Sequence, residues 1–352
     1  MGTKKRILRL LIGLVGVVLV GFGLIAVEFI LMRGDTPKIS GVLSIASLEK
    51  IELGGAQQWV LIRGHDSTKP VILFLHGGPG MPAMFLAHAC QSGLERDFVV
   101  VHWDRRGAGK SFDAGLKPGS LIVSRTLEDT YELTRHLRER FSRNRIYLVG
   151  HSWGSYLGLL AIRDHPEYYG AFIGMGQIAG TLAEVREIRR EFIARAAREA
   201  GDRELSAQLT SREKEVNEND LFRYGGELHG AWSFWPILKT GLFAPEYTLW
   251  DALNVKKGAD LVDREMNYDM LPKMFEGEIP GFDIPVFFFL GRHDYNTPSR
   301  LAGDYLDRLA APLKGLVWFE ESSHFPFFEE PDRFHEEMVR LDQAVRAFWA
   351  GR

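Results

Sequence analysis

The feature that most constrains the fold is the pentapeptide Gly-His-Ser-Trp-Gly at 150–154, which separates two apolar runs. The run before it, 146–149, reads Ile-Tyr-Leu-Val and is typical of a buried β-strand. The run after it, 155–162, combines small and apolar residues and favours a helix. Ser152 therefore falls on a tight strand-to-helix turn. Such a turn brings neighbouring chain so close that only glycine fits at both ends of the pentapeptide.

Strand-like and helix-like segments alternate on both sides of this turn. Short apolar runs typical of strands lie at 58–62, 71–75, 98–103, 171–176, 284–290 and 316–319. Segments typical of helices lie at 81–95, 127–141, 299–309 and 332–349. This alternation predicts an α/β fold with a doubly wound, mostly parallel sheet and helices on both faces.

The alternation stops over 181–280, where the sequence is first helical and charged and then irregular and rich in aromatic residues. Because the pattern resumes afterwards, we interpret this stretch as a helical cap inserted into one domain. The sequence thus predicts a core formed by 34–180 and 281–352. A long insertion above strand ends is where a lid and a substrate pocket are expected.

The N-terminal residues 1–33 predict a membrane anchor. Lys4, Lys5, Arg6 and Arg9 precede an uncharged run over 10–27, whose 18 residues would span roughly 27 Å as a helix. A hydrocarbon core is about 30 Å thick. Positive charge before the run predicts that the N-terminus stays in the cytoplasm and that the rest lies outside. The alternative is a cleaved signal peptide, but no small-x-small cleavage pattern follows the run.

Composition excludes some classes of function. The net charge of −3 gives no sign of a nucleic-acid partner. The Gly-Lys-Ser at 109–111 superficially resembles a phosphate loop, but the first glycine of such a loop would fall on Asp104. Cys90 is the sole cysteine, so an intrachain disulfide is excluded. Cysteine content therefore does not indicate the cellular compartment of the protein. We expect neither a metal site nor a cofactor.

The turn at Ser152 has the strand and helix context of a nucleophile elbow. A serine nucleophile needs a base to take its proton and a carboxylate to orient that base. Both should follow later strands, in the order acid and then histidine. Asp294 directly follows the predicted strand at 284–290, and His324 directly follows the strand at 316–319.

Other acids and histidines fit this pattern less well. His335, Asp304 and Asp307 fall inside predicted helices, where a solvated position is expected. Asp104 follows an earlier strand and is disfavoured as the acid by chain order. His151 and His293 are expected to be neighbours of the site and not its base.

An acyl-transfer site also needs two N–H donors for the developing oxyanion. The backbone of Trp153, the residue after the serine, is the first candidate. The second is Gly78, within the His-Gly-Gly-Pro-Gly segment at 76–80 that follows an early strand. Glycines there let the backbone approach a ligand closely, although a plain glycine turn is the alternative.

Together these motifs resemble the α/β-hydrolase superfamily over roughly 41–352, and within it the proline iminopeptidase group of serine aminopeptidases. The resemblance rests on five segments: 76–80, Asp-Arg-Arg-Gly-Ala-Gly-Lys-Ser at 104–111, His-Ser-Trp-Gly-Ser at 151–155, Gly291-x-x-Asp294, and Ser323-His324. It implies the same triad of Ser152, Asp294 and His324. Arg105 is a departure, because that loop usually reads Asp-Gln-Arg-Gly in the family.

The resemblance also implies a substrate class. Its aminopeptidases use acidic residues, largely from the cap, to hold the terminal amine of the substrate. Glu227, which follows two glycines, is the candidate here, and a solvated glutamate is the alternative. We therefore expect a membrane-anchored serine hydrolase that releases N-terminal proline or similar residues from a small-molecule or short-peptide substrate. A carboxylesterase is the second hypothesis, and a non-catalytic binding protein of the same fold is the third.

Overall fold

The computed structural model describes residues 13–21, 23, 34–117, 119–266 and 279–352. Residues 13–21 form helix α1, whose apolar side chains are exposed. Within the described ranges, the structure has no helix that is both long and apolar enough to cross a membrane. The rest of the predicted anchor, including 10–12, 22 and 24–27, lies outside the described residues.

Over the described ranges, the strands form one eight-stranded sheet in the order β1-β2-β4-β3-β5-β6-β7-β8. The two edge pairings, β1 with β2 and β2 with β4, are antiparallel, and the pairings from β4 through β8 are parallel. This confirms the predicted mostly parallel sheet. The strands are β1 (Ile45–Leu53), β2 (Ala56–Gly64), β3 (Val71–Leu75), β4 (Val99–Asp104), β5 (Ile146–His151), β6 (Tyr169–Met175), β7 (Val286–Gly291) and β8 (Lys314–Phe319).

Helices connect the strands and cover the sheet. The described helices after α1 are α2 (Ala87–Cys90), α3 (Val123–Arg140), α4 (Trp153–Asp164), α5 (Leu182–Glu199), α6 (Arg203–Thr210), α7 (Glu218–Arg223), α8 (Trp235–Leu242), α9 (Leu249–Glu265), α10 (Ser299–Arg308), α11 (Pro326–Glu329) and α12 (Pro331–Ala350). We call α5–α9, which lie between β6 and β7, the cap helices.

The central strands are buried on both faces because side chains alternate along them. In β3, Leu73 packs into one apolar cluster, while Ile72 and Phe74 pack into the cluster on the opposite face. A strand enclosed in this way reads as a continuous apolar run, which is why the sequence pattern located it. The site loops therefore project from a sheet that packing holds rigid on both sides.

The prediction of one helix over 81–95 is wrong. The chain there forms the short α2 between two 3₁₀ turns, Met84–Leu86 and Leu94–Arg96. Gly93 separates α2 from the second turn, and a Cβ added at Gly93 would lie 3.1 Å from His335 Nδ1. Glycine interrupts a helix and here allows close approach of α12.

The cap is tied to the core at the loop after β4. Lys110 Nζ donates to Asp251 Oδ2 of α9 at 2.8 Å, and the Tyr247 hydroxyl donates to Asp104. A Cβ added at Gly258 of α9 would lie 2.3 Å from the Gly107 carbonyl oxygen, so the two backbones are in contact. Polar pairing and close packing together fix α9 on the core.

Candidate active site

The turn between β5 and α4 holds Ser152 at φ 54° and ψ −124°, a conformation that side chains rarely adopt. A Cβ on Gly150 would lie 2.5 Å from the Gly154 carbonyl oxygen, and one on Gly154 would lie 2.1 Å from a carbonyl oxygen at the end of β3. The Ser152 N–H donates to the Met175 carbonyl at 2.9 Å, which fixes the turn against β6. Glycine on both sides and this hydrogen bond stabilise the strained serine.

Asp294 and His324 meet at the carboxyl ends of β7 and β8. His324 Nδ1–H donates to Asp294 Oδ2 at 2.9 Å, and both side chains are buried. The Thr297 hydroxyl donates to the same Oδ2 at 2.9 Å, while the amides of Asn296 and Thr297 donate to Oδ1 at 2.8 and 2.9 Å. Four donors therefore orient the carboxylate, which in turn orients the imidazole ring.

Close backbone contact aligns the two loops. A Cβ on Gly291, the last residue of β7, would lie 1.8 Å from the Ser323 carbonyl oxygen. The Ser323 hydroxyl donates to the His293 carbonyl at 2.7 Å, so the loops are also joined by a side chain. Glycine at 291 is thus a packing requirement of the acid–histidine pair.

Burial lowers the pKa of His324, but the nearby carboxylates of Asp294 and Glu227 outweigh this effect, and the net pKa is raised. His151, whose Nε2–H donates to the His324 carbonyl at 2.8 Å, is also buried. Burial and the neighbouring His324 place the pKa of His151 well below its usual value. His151 is therefore neutral and supports the His324 backbone, as expected for a neighbour of the site.

Ser152 and His324 line the same cavity of about 320 Å³. Its apolar walls come from Met81, Phe85, Leu86, Phe222, Phe234, Ile237, Phe325 and Phe327. Across the described residues, no hydrogen bond joins Ser152 to His324. Contacts between a nucleophile and its base are often long without substrate and tighten when substrate binds.

Gly78 lines the cavity from the loop that follows β3. Its φ is 110°, and a Cβ there would lie 2.3 Å from the Met81 nitrogen. A Cβ on the preceding Gly77 would lie 2.9 Å from the Ser152 Cβ, so this loop packs directly against the serine. Trp153 is the first residue of α4, where a backbone N–H has no partner within the helix.

A buried arginine contacts both the loop that carries Gly78 and the side chain of Trp153. Arg105 Nη2 donates to the carbonyls of Gly77 and Pro79, at 3.2 and 2.9 Å, on either side of Gly78. The Arg105 guanidinium also lies over the Trp153 ring, 4.7 Å from its centre. Burial lowers the pKa of Arg105 to about 9, with Asp104 opposing the shift. The sequence identified Arg105 only as a departure from the family pattern, and its contacts were missed.

Glu227, in the bend after α7, is buried on the cavity wall, so it is not a solvated surface glutamate. Its Oε1 accepts from Asn296 Nδ2 at 3.1 Å, and its carbonyl accepts from the His324 N–H at 3.2 Å. Burial raises the pKa of Glu227 to about 7, while His324 and Arg189 lower it and Asp294 raises it further. Burial makes the charged form of Glu227 costly, so a cation bound beside this carboxylate would stabilise it.

A comparison with protein families identifies the fold. A family model described as the alpha/beta hydrolase family matches residues 72–337, which is most of the chain. The chain belongs to this family. The hydrolase is 29% identical over 308 residues to a probable aminopeptidase, YbaC, of Bacillus subtilis (strain 168), covering 84% of this chain and 96% of the relative.

Further comparisons extend the likeness to the proline iminopeptidases. The hydrolase is 26% identical over 307 residues to a proline iminopeptidase of Lactobacillus crispatus (strain ST1), covering 84% of this chain and 97% of the relative. It superimposes on a proline iminopeptidase-related protein of Thermus thermophilus with a TM-score of 0.58 and 19% identity, covering 86% of this chain and 98% of the other. The predicted resemblance to this group is confirmed.

Asp104 and His335, two of the alternatives, do not line the cavity of this hydrolase. Asp104 accepts from the Lys110 N–H at 2.8 Å and from Tyr247, and so helps to hold the cap. His335 Nε2 is paired with Asp97 at 2.8 Å. Asn296 was not predicted, although its position two residues after Asp294 in a strand-end loop was a usable signal.

Proposed function

We propose that this chain is a serine hydrolase that forms an acyl-enzyme on Ser152. The observation that carries the proposal is the buried Asp294–His324 pair, because its imidazole lines the same cavity as a serine held at positive φ. A strained turn of this kind exposes the serine hydroxyl at the top of a parallel sheet. The chain order of Ser152, Asp294 and His324, each in a loop after a strand, supports the proposal.

In the proposed mechanism, His324 Nε2 accepts the proton of Ser152 Oγ as that oxygen bonds to the substrate carbonyl carbon. The N–H groups of Gly78 and Trp153 donate to the oxyanion. His324 then gives the proton to the leaving amine or alcohol as its bond to carbon breaks. Water repeats the sequence on the acyl-enzyme and releases the acid and Ser152. Asp294 stabilises the charged imidazole throughout.

We propose that the substrate is a small molecule or short peptide with a free N-terminal amine, as in a proline iminopeptidase. Glu227 supports this choice, because it is a buried carboxylate on the cavity wall. An ammonium group bound there would compensate the cost of ionising Glu227. The relatives named aminopeptidase and proline iminopeptidase support the same class.

A carboxylesterase is the second candidate, favoured by the aromatic and aliphatic walls of the cavity. Proline-arylamide and short acyl-ester substrates should be assayed in parallel on the wild type, Glu227→Gln and Glu218→Gln. Glu218 lines the same cavity but is exposed. The Glu218→Gln variant therefore controls for the loss of one negative charge from the cavity. An aminopeptidase should lose arylamide turnover selectively in Glu227→Gln. Fast ester cleavage with no arylamide turnover in the wild type would contradict the peptidase assignment.

We also propose that the apolar run at 10–27 anchors the chain in a membrane once, with its N-terminus in the cytoplasm and the hydrolase domain outside. The four preceding basic residues and the absence of charge within the run support this orientation. Protease added to spheroplasts should digest the domain. Protection of the domain in intact spheroplasts, with digestion after lysis, would contradict an outside location.

A further inference from the structure

The cap helices carry an apolar face that points away from the core. On α8 the exposed side chains Trp235, Leu238 and Leu242 recur at helical spacing, and on α9 Leu249, Trp250 and Leu253 do the same. Trp235 is 57% exposed and Trp250 is 76% exposed. We call these six side chains the cap apolar face.

The cap apolar face is separate from the faces that pack the same helices onto the core. On α8 the buried Ile237 lines the catalytic cavity, and on α9 the buried Val262 joins the main apolar cluster. Each helix therefore has an inward apolar contact and a separate, outward apolar side. Single exposed apolar residues are common, but three large ones on the exposed side of each of two consecutive cap helices indicate a surface that contacts something else.

The described part of the N-terminal linker is fixed in the turn between these two helices. The Gly34 N–H donates to the Pro245 carbonyl at 2.8 Å, and a Cβ on Gly34 would lie 3.0 Å from Thr248 Cγ2. The Thr36 hydroxyl donates to Glu246 Oε1 at 2.9 Å. The chain thus joins the domain at the residue that caps α9, immediately before Leu249 and Trp250.

The N-terminal run at 10–27, part of which is described as α1, is apolar. In α1 the side chains of Leu14, Val17 and Val20 are exposed, and a Cβ built on Gly13 or Gly16 would have no neighbour within 4 Å. A helix that is apolar on all sides is stable when hydrocarbon surrounds it. Because Gly34 is only seven positions after position 27, a bilayer that holds this segment would lie within about 25 Å of the turn where Gly34 is bound.

We propose that the cap apolar face rests on the surface of a lipid bilayer, beside the point where the N-terminal segment leaves it. Tryptophan is favoured at this depth because its ring is amphipathic, and the leucines supply area to be buried. The inference rests on the proposed anchor, and it adds an orientation for the domain. The helix that touches the bilayer also lines the cavity through Ile237, so an amphipathic substrate in the bilayer would lie about 10 Å from the cavity wall.

The test uses the full chain in phosphatidylcholine–phosphatidylglycerol vesicles, with one nitroxide label per variant. Labels are placed through Leu238→Cys, Leu253→Cys, Val18→Cys and the control Ala207→Cys, an exposed position on α6. Cys90 is buried and burial raises the pKa of its thiol, so it competes poorly for the label. Collision with oxygen, which partitions into lipid, is compared with collision with a water-soluble nickel chelate.

We expect labels at 238, 253 and 18 to lose accessibility to the nickel chelate and gain accessibility to oxygen, relative to 207. If 18 shows this change while 238 and 253 behave like 207, the anchor stands and the inference about the cap is overturned. If none of the labels at 238, 253 and 18 changes its accessibility, both the proposed anchor and the inference about the cap are overturned. Strong dipolar coupling between labels at 253 on separate chains would show that a second copy covers this face, which also overturns the inference. None of these readouts depends on hydrolase activity, so they are independent of the proposed chemistry.

Discussion

The sheet end and the cap contribute to the cavity in different ways. Ser152 and Asp294 follow strands that are buried along their whole length, and His324 follows the more exposed β8. Backbone contacts at Gly154 and Gly291 hold the loops in place. The cap supplies Glu227 and apolar walls, and its helices expose a second apolar face to the surroundings. Under the proposed function, the core fixes the chemistry, while the cap selects what reaches it.

The strongest test of this division is Ser152→Ala. It should reduce kcat by about four to six orders of magnitude and abolish labelling by a fluorophosphonate probe, because the nucleophile is lost. Labelling is read by gel fluorescence and turnover by steady-state kinetics.

Ser155→Ala is the matched control. The Ser155 hydroxyl donates to the Ser152 carbonyl at 2.6 Å and accepts from the Ile178 N–H at 3.1 Å, so its loss should lower the melting temperature and leave labelling intact. A folded wild type that the probe does not label would remove the serine hydrolase proposal.

Asp294→Asn should have the next largest effect, a reduction in kcat of about 10⁴-fold with the fold preserved. The amide still accepts hydrogen bonds from the loop but no longer stabilises a charged imidazole. Kinetics and a thermal melt measure the two properties separately. Asp104→Asn, at the carboxylate that binds Tyr247 and not His324, is expected to affect the melt more than kcat. The reverse ranking would favour Asp104 as the acid.

Arg105→Ala tests whether the core also positions the oxyanion donors. Without the bonds to the Gly77 and Pro79 carbonyls, the loop should loosen and kcat should decrease by about 10- to 100-fold with little change in KM. Arg105→Gln keeps a side-chain donor and should recover part of the rate. Arg106→Lys, at the neighbouring arginine that pairs with Asp129, should change stability only. An equal loss of kcat in both arginine variants would indicate a general structural effect.

The smallest predicted effect is a shift in pH dependence that couples Glu227 of the cap to His324 of the core. Neutral His324 is needed to accept the serine proton, and its raised pKa places the rising limb of the kcat/KM profile above the pH expected for an isolated histidine. Glu227 contributes to this shift, so Glu227→Gln should move the limb to lower pH. The profile is measured with a neutral ester, which does not need Glu227 for binding. An unchanged limb would mean that Glu227 acts on substrate alone.

The sequence predicted the parts of the site that depend on strand order. Asp294 and His324 could be located because apolar runs mark the strands, and the carboxyl ends of parallel strands meet at one edge. The contacts of Arg105 could not be predicted from the sequence, because they depend on the distance between the loop after β4 and the loop after β3. The pattern at 81–95 failed for a related reason, since close packing of Gly93 against α12 outweighed local helical preference.

Cap residues were the hardest to assign. Ile237 is buried and the adjacent Leu238 is exposed, but both are apolar. The hydrophobic pattern of the sequence therefore does not show which of the two faces the core. Glu227 likewise accepts a hydrogen bond from Asn296, 69 positions away, whose carbonyl in turn accepts from Arg189 of α5. Its flanking glycines indicated a bend, but the direction of the side chain was set by tertiary contacts.

The contact at Gly291 has a consequence for recombining this hydrolase with its relatives. Since a single methyl group at 291 would collide with the Ser323 carbonyl, the segments at 291–299 and 320–325 can be exchanged between homologues only as a matched pair. Gly201 and Gly230 in the cap have no neighbour within 4 Å of a built Cβ, so packing does not restrict these two loop positions, although their positive φ still favours glycine. Grafting experiments that aim at new selectivity have room in the cap and almost none at the strand ends.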